Sequence, residues 1–239
     1  LAPATVLAIP AWVQGKSILH QQRLALVTSL LLLVLGAVAY GLTEWHFTLS
    51  ELSPWDKVHN AWFQSVTLRT AGFNSVDLTA TQDATQLIMV FFMFVGGSPG
   101  GTAGGIKTAT LAIVLLTVGA MLTGRHQVVY RRRLIDQATV YKAAAVAFTG
   151  SLVAFVMAVA LQLTQNLEPQ VAIFEVVSAL ATVGLTIGGT SQLDSVGKLI
   201  VMACMFAGRV GPLTLFFFLT SKNASRANHS YPETKVDVG

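Results

Sequence analysis

The sequence predicts an all-α membrane protein made of two tandem units, each a helix, a re-entrant segment and a second helix. Three observations carry this. Only 11% of the 239 residues are charged while 53% are hydrophobic, against about 25% charged in ordinary soluble domains. Long charge-free runs are separated by short charged clusters. The chain also resembles itself at an offset of 112 residues.

The runs come first. Residues 24–43 lie between Arg23 and Glu44 and are rich in leucine. Twenty such residues make about 30 Å of helix, enough to cross a hydrocarbon core. Further charge-free runs are 84–106, 108–124 and 143–167, and a last one, 199–221, is interrupted only by Arg209. Two stretches, 61–73 and 169–190, are too short or too broken to span. Each follows a proline (Pro54, Pro169) and ends near a glycine, the pattern of short helices that stop abruptly. Non-helical backbone at membrane depth is tolerated only where protein or a water-filled cavity satisfies it, so both read as re-entrant.

Charge sets the orientation. The basic loop 125–142 belongs in the cytoplasm by the positive-inside rule. The N-terminal segment and the tail then fall on the same side, with ten basic and three acidic residues. The opposite side has three basic residues (Lys57, Arg69, Lys198) and eight acidic ones (Glu44, Glu51, Asp56, Asp77, Asp83, Glu168, Glu175, Asp194). Lys107 and Arg209 remain inside apolar runs. Lys107 is expected to snorkel to the cytoplasmic interface. Arg209 is an intramembrane charge, expected to act as a barrier beside a pathway or to bind loop carbonyls. The basic clusters alternate with apolar runs, which argues against nucleic-acid binding. The lone Cys204 excludes an internal disulfide, and the five histidines show no metal-ligand spacing. The acceptor patterns at Asn223 and Asn228 fall on the cytoplasmic side, where glycosylation does not occur. No nucleophile–base arrangement points to an enzyme.

The repeat is specific. Between 68 and 96 the offset gives eight identities, among them Thr70/Thr182, Gly72/Gly184, Met93/Met205, Phe94/Phe206 and Gly96/Gly208. Chance gives roughly two over such a stretch. Both copies begin and end on the basic side, so they run in the same orientation. Each Thr-x-Gly follows a short re-entrant helix on the acidic side. There, glycine permits backbone angles that aim carbonyls into a pore and leaves no side chain to block it. This reads as a carbonyl filter for a dehydrated cation, expected at Thr70, Ala71, Gly72, Phe73, Thr182, Val183, Gly184 and Leu185. Asp77 and Asp194 would draw cations toward it weakly. A ring of carbonyls needs about four such loops, and this chain supplies two, so a second chain or further repeats must complete it.

Residues 96–105 read GGSPGGTAGG, in which seven of ten are Gly or Pro. A continuous helix through them is implausible at about 1 kcal/mol per glycine and 3 for proline. The expectation is a spanning helix broken by a loop beneath the filter, able to gate it. The loop comprises Gly96, Gly97, Ser98, Pro99, Gly100, Gly101, Thr102, Ala103, Gly104 and Gly105. A nucleotide P-loop is disfavoured, because Ile106 separates Gly105 from Lys107-Thr108 and no strand precedes it.

FQSVTLRTAGFN (63–74), MFVGGSPGGTAGGIKT (93–108), ATVGLT (181–186) and MFAGRVGPLTL (205–215) resemble the Ktr/Trk/HKT superfamily of potassium transporters, most of all its KtrB-type membrane subunits. The resemblance implies two tandem helix–re-entrant pore loop–helix repeats of a four-repeat potassium-channel-like pore, here the third and fourth. It divides the chain into 1–23 (end of the preceding repeat and linker), 24–124 (third repeat), 125–137 (cytoplasmic basic loop), 138–221 (fourth repeat) and 222–239 (cytoplasmic tail). It makes Arg209 the pore arginine facing the loop. It further implies a cell-membrane location, potassium uptake with sodium dependence, and no resident cofactor, potassium and sodium being the transported ions. The implied partners are the missing N-terminal half with two further repeats, a second copy in a homodimer, membrane lipid and a cytoplasmic nucleotide-binding regulatory ring of the KtrA type. Two alternatives stand beside it: a proton- or sodium-coupled Trk-type symporter, and a non-conducting membrane assembly protein.

Overall fold

The computed structural model describes residues 20–98, 103–125 and 127–211. The expected tail 222–239 and most of the expected segment 1–23 lie outside them. Helix α1 (His20–Glu44) has 25 residues, or about 37 Å at 1.5 Å per residue. Between Arg23 and Glu44 it carries no charged side chain. Its Thr28 and Thr43 hydroxyls donate to the carbonyls of Leu24 and Ala39 on the same helix, which satisfies them where water is absent. Helix α2 (Pro54–Thr67) starts where Ser53 caps the Asp56 amide and Pro54 fills the first position. A short 3₁₀ turn (Leu78–Ala80) leads to α3 (Asp83–Phe94), and α4 follows at Thr108–Leu122. A two-stranded hairpin, β1 (Val129–Tyr130) and β2 (Arg133–Leu134), turns through Arg131 and Arg132, both at positive φ. Then come α5 (Gln137–Thr164), α6 (Pro169–Leu180), the single turn α7 (Gly189–Gln192) and α8 (Ser195–Val210).

The order recurs. Shifted by 112 residues, α2 overlays α6, the 3₁₀ turn overlays α7, and the starts of α3 and α8 coincide at Asp83 and Ser195. Two helices, Gln22–Glu44 and Gln137–Thr164, are long and apolar enough to cross a membrane. With 14 and 12 residues, α2 and α6 reach only about 21 and 18 Å and cannot.

The two copies are not equally enclosed. Helix α6 packs against α3, α5 and α8, and Phe174, Val176, Ala179 and Leu180 are all buried. Helix α2 buries Ala61, Gln64, Ser65 and Thr67 but leaves Trp55, Val58, Trp62, Phe63 and Val66 exposed. The copies also differ at their second helix. Helix α3 stops at Phe94, with Val95 extended and bridged to Ile106. Helix α8 runs on through Gly208 and Arg209 to Val210, Arg209 standing where the first copy has Gly97. At Gly208 a β-carbon would overlap the Leu180 carbonyl oxygen, so only glycine lets α8 close on the end of α6.

Two acids that the charge tally places on the outer side, Glu44 and Glu175, are buried. Glu44 is fully buried; its carboxylate accepts from the Gln82 amide (3.0 Å), the Thr85 hydroxyl (2.5 Å) and the Thr48 amide and hydroxyl (3.3 and 2.9 Å). It thereby ties the end of α1 to the start of α3. In the second copy Gln165 does the same job. Its amide donates to Asp194 Oδ1 (2.7 Å) and its oxygen accepts from the Asp194 amide (3.1 Å), joining the end of α5 to the start of α8. Replacing Glu44→Ala leaves the buried Thr85 hydroxyl unpaired and takes the acceptor from the half-buried Gln82 and Thr48 donors. The expected loss is on the order of 3 kcal/mol, read as a lower unfolding temperature in detergent, with Glu44→Gln losing less.

Candidate functional site

The two Thr-x-Gly turns stand out in the backbone. Thr70 (φ 68°) and Gly72 (φ 77°) are left-handed in the first copy, and Thr182 (φ 57°) and Gly184 (φ 89°) in the second. Ala71 and Val183 between them are not. A β-branched residue in this region is a true outlier, costing about 1–2 kcal/mol. That cost recurs at matching positions in both copies, so both turns are held to one unusual shape.

What holds them is the end of each short helix. In the first copy Thr67 Oγ1 donates to the Phe73 carbonyl (2.6 Å) and accepts from the Phe73 amide (2.8 Å), while the Ala71 amide reaches the Thr67 carbonyl (3.1 Å). In the second, Ser178 Oγ donates to the Leu185 carbonyl (2.6 Å) and the Val183 amide to the Ser178 carbonyl (2.8 Å). Thr67 and Ser178 are not equivalent by the offset of 112, which hid them from the sequence comparison. Glu175, the second buried acid, braces the same turn. Its carboxylate accepts from Thr186 Oγ1 and from the Thr190 amide (3.1 Å) and hydroxyl (2.6 Å). A lone acid within an apolar run was the signal for it.

The turns meet. A β-carbon at Gly72 would overlap the Val183 carbonyl oxygen, whereas one at Gly184 would find nothing within 4 Å. Ala71, Gly184 and Phe73 are exposed, while Val183 and Leu185 are buried. One side of the paired turns is therefore packed and the other open. Among the described residues no three His, Cys, Asp or Glu side chains gather; the oxygens here are main-chain carbonyls and threonine hydroxyls.

The glycine segment lies against these turns. Its neck is closed by the Gly96 amide on the Ile106 carbonyl (2.9 Å), the Ile106 amide on Phe94 (3.0 Å) and the Thr108 amide on Gly97 (3.1 Å). The Gly104 amide donates to Thr182 Oγ1 (2.8 Å). Pro99, Gly100, Gly101 and Thr102 lie outside the described residues. The Lys107 ammonium donates to the Ala103 carbonyl. Arg209 occupies the last turn of α8.

Arg69 corrects the charge assignment most. It was counted on the outer side. Its guanidinium donates instead to the Ser29 carbonyl (3.0 Å) and the Gly96 carbonyl (3.2 Å). Ser29 is fifteen residues from the Glu44 end of α1, about 22 Å along the helix. Arg69 thus reaches inward, because the chain turns down after α2 and the side chain points further the same way. At the other end the acids stay ionised. The Thr79 hydroxyl and amide hold Asp77 below the usual carboxylate range, and the Gly197 amide with Gln165 does so for Asp194.

Against known proteins, the model of TrkH, a cation transport protein family, matches residues 17–231. The chain belongs to the TrkH family. With membership comes its character as a membrane transport protein rather than an enzyme, in keeping with the two helices among the described residues that are long and apolar enough to cross a membrane. The chain is 37% identical over 230 residues to the potassium/sodium uptake protein NtpJ of Enterococcus hirae, covering 94% of itself and 51% of that protein. It is 39% identical over 192 residues to the Ktr system potassium uptake protein B of Bacillus subtilis, covering 80% and 43%. The protein of that name from Vibrio alginolyticus is 36% identical over 231 residues, with 95% and 50% covered. The chain thus spans about half the length of these relatives. The crystal structure of the potassium transporter TrkH from Vibrio parahaemolyticus superposes with a TM-score of 0.69 at 22% identity, over 84% of this chain and 44% of that one. The fold is therefore that of this TrkH-family structure.

The Thr67 bridge is testable. Thr67→Val keeps the shape but leaves both polar groups of Phe73 unpaired, an expected cost of about 1–3 kcal/mol. Hydrogen exchange at the Phe73 amide should quicken while that at the Leu185 amide stays as it was.

Proposed function

We propose that this chain forms half of a potassium-uptake pore in the cell membrane, with residues 70–73 and 182–185 as two of four carbonyl loops. The observation that carries it is the repeated backbone: left-handed Thr and Gly flanking a residue that is not, twice, with the two turns in contact. Alternating the sign of φ turns successive peptide planes so that carbonyls gather on one side instead of alternating as in a strand. Carbonyls so gathered replace the hydration shell of a dehydrated potassium ion. The named relatives, a potassium/sodium uptake protein and Ktr potassium uptake subunits, fit this ion choice.

On this reading the chain works with two further repeats and in a dimer, beside a cytoplasmic nucleotide-binding regulator. Sodium enters as the second ion of the system. Segment 96–105 is the gate: it interrupts a helix at membrane depth and rests on the second turn through Gly104 and Thr182. Arg209 stands near it as a fixed positive charge. Loop 125–142 and the tail face the cytoplasm.

The test is potassium uptake in a deficient bacterial strain expressing the complete coding sequence. Gly72→Val and Gly184→Val put side chains where backbones meet or where the turn is open. Each should cut potassium uptake at least about tenfold or abolish preference over sodium. Uptake unchanged in both would leave a non-conducting assembly protein as the better account. Shortening 96–105 should raise the maximal rate and weaken control by the cytoplasmic regulator, seen as flux that no longer follows the regulator's nucleotide. Residues 1–239 alone, reconstituted in liposomes, should show no potassium-selective flux.

A further inference from the structure

The glycine segment has two described arms, and each is held by a different Thr-x-Gly turn. The descending arm is bound through the Gly104 amide to Thr182 Oγ1 at 2.8 Å. Closeness enforces the bond, since a β-carbon at Gly104 would sit 2.8 Å from the Ala181 carbonyl oxygen and from Thr182 Cγ2. The ascending arm is bound through the Gly96 carbonyl to Arg69 at 3.2 Å, and Arg69 immediately precedes Thr70. The same guanidinium holds the Ser29 carbonyl at 3.0 Å, and the Ser29 and Ser98 hydroxyls lie 3.4 Å apart. Arg69 thus clamps α1, the loop's first arm and the first turn together. Its Nε is buried with no partner, a cost of about 1–3 kcal/mol. Among the described residues no acid answers its charge; the bonds it makes there are to carbonyl or hydroxyl oxygens. Such a group is kept for what its fork of donors positions.

We propose that Arg69 and Thr182 are positioning residues that couple the glycine segment to the two turns, one arm each. Displacing the segment then strains both turns, and changing a turn shifts the segment. The inference rests on the pore reading above but concerns a different property, the linkage between gate and filter.

A double-mutant cycle tests it in the complete protein. Potassium uptake is measured against concentration for wild type, Arg69→Gln, a variant shortened within 96–105, and the two combined. Arg69→Gln should change KM by at least about fivefold in the full-length segment. In the shortened background it should change KM less than twofold, because the arm it holds is gone. Equal KM changes in both backgrounds would overturn the coupling. Arg69→Lys separates geometry from charge: one ammonium cannot bridge Ser29 and Gly96 at once, so it should behave like Gln. Wild-type KM in the Lys variant would overturn the clamp. If Arg69→Gln is not recovered in the membrane, Thr182→Val, which deletes the acceptor, is read by the same criterion, with Thr182→Ser expected to restore wild-type KM. Failure of the pore reading looks different, since Gly72→Val and Gly184→Val would then leave uptake intact.

Discussion

In hydrocarbon there is no water to satisfy a broken helix, so every amide and carbonyl released by a break must find a partner within the protein. Among the described residues, regular structure breaks at the two Thr-x-Gly turns and in the glycine segment. Each break is answered locally. Hydroxyls of Thr67 and Ser178 take the backbone of Phe73 and Leu185. The bridge between Val95 and Ile106 closes the neck of the glycine segment. Arg69 and Thr182 supply what the neck leaves over. The strained φ angles persist because these contacts over-determine them.

Duplication gives the plan, but the copies have diverged where chemistry differs. The outer junction is held by a carboxylate in one copy and by an amide–carboxylate pair in the other: Glu44 on the Gln82 amide, and Gln165 on Asp194. Gln82 and Asp194 correspond at the offset of 112, but Glu44 and Gln165 do not, so unrelated side chains produce the same join between a long helix and the start of the second helix. Fold symmetry is therefore conserved at the level of joints while individual bonds vary.

Much of this was legible in the residue order. Pro54 and Pro169 marked the first positions of the two short helices, and Thr-x-Gly in register marked the turns. The Gly-Pro run placed the break between Phe94 and Thr108. The destinations of charged side chains were not legible. A tally by flanking loop assigns Arg69, Glu44 and Glu175 to the outer side, but it registers sequence position and cannot tell that Glu44 and Glu175 are buried or that Arg69 reaches Ser29 and Gly96. Ser178 and Thr67 escaped for a related reason. Their hydroxyls act on backbone six and seven residues away, a relation set by how the helix ends and not by any periodicity. Arg131 and Arg132 sit at left-handed positions where Asn-Gly is the cheaper choice, and no pattern in the sequence announces that.

The unbroken run of α8 across Gly208 has a mechanical meaning. Helix and neighbour there touch backbone to backbone, so this half behaves as a stiff strut. Its counterpart, cut at Phe94, hangs from a short bridge and a handful of side-chain bonds, each worth about 1 kcal/mol net. A near-symmetric frame thus pairs one continuous beam with one spliced at mid-length.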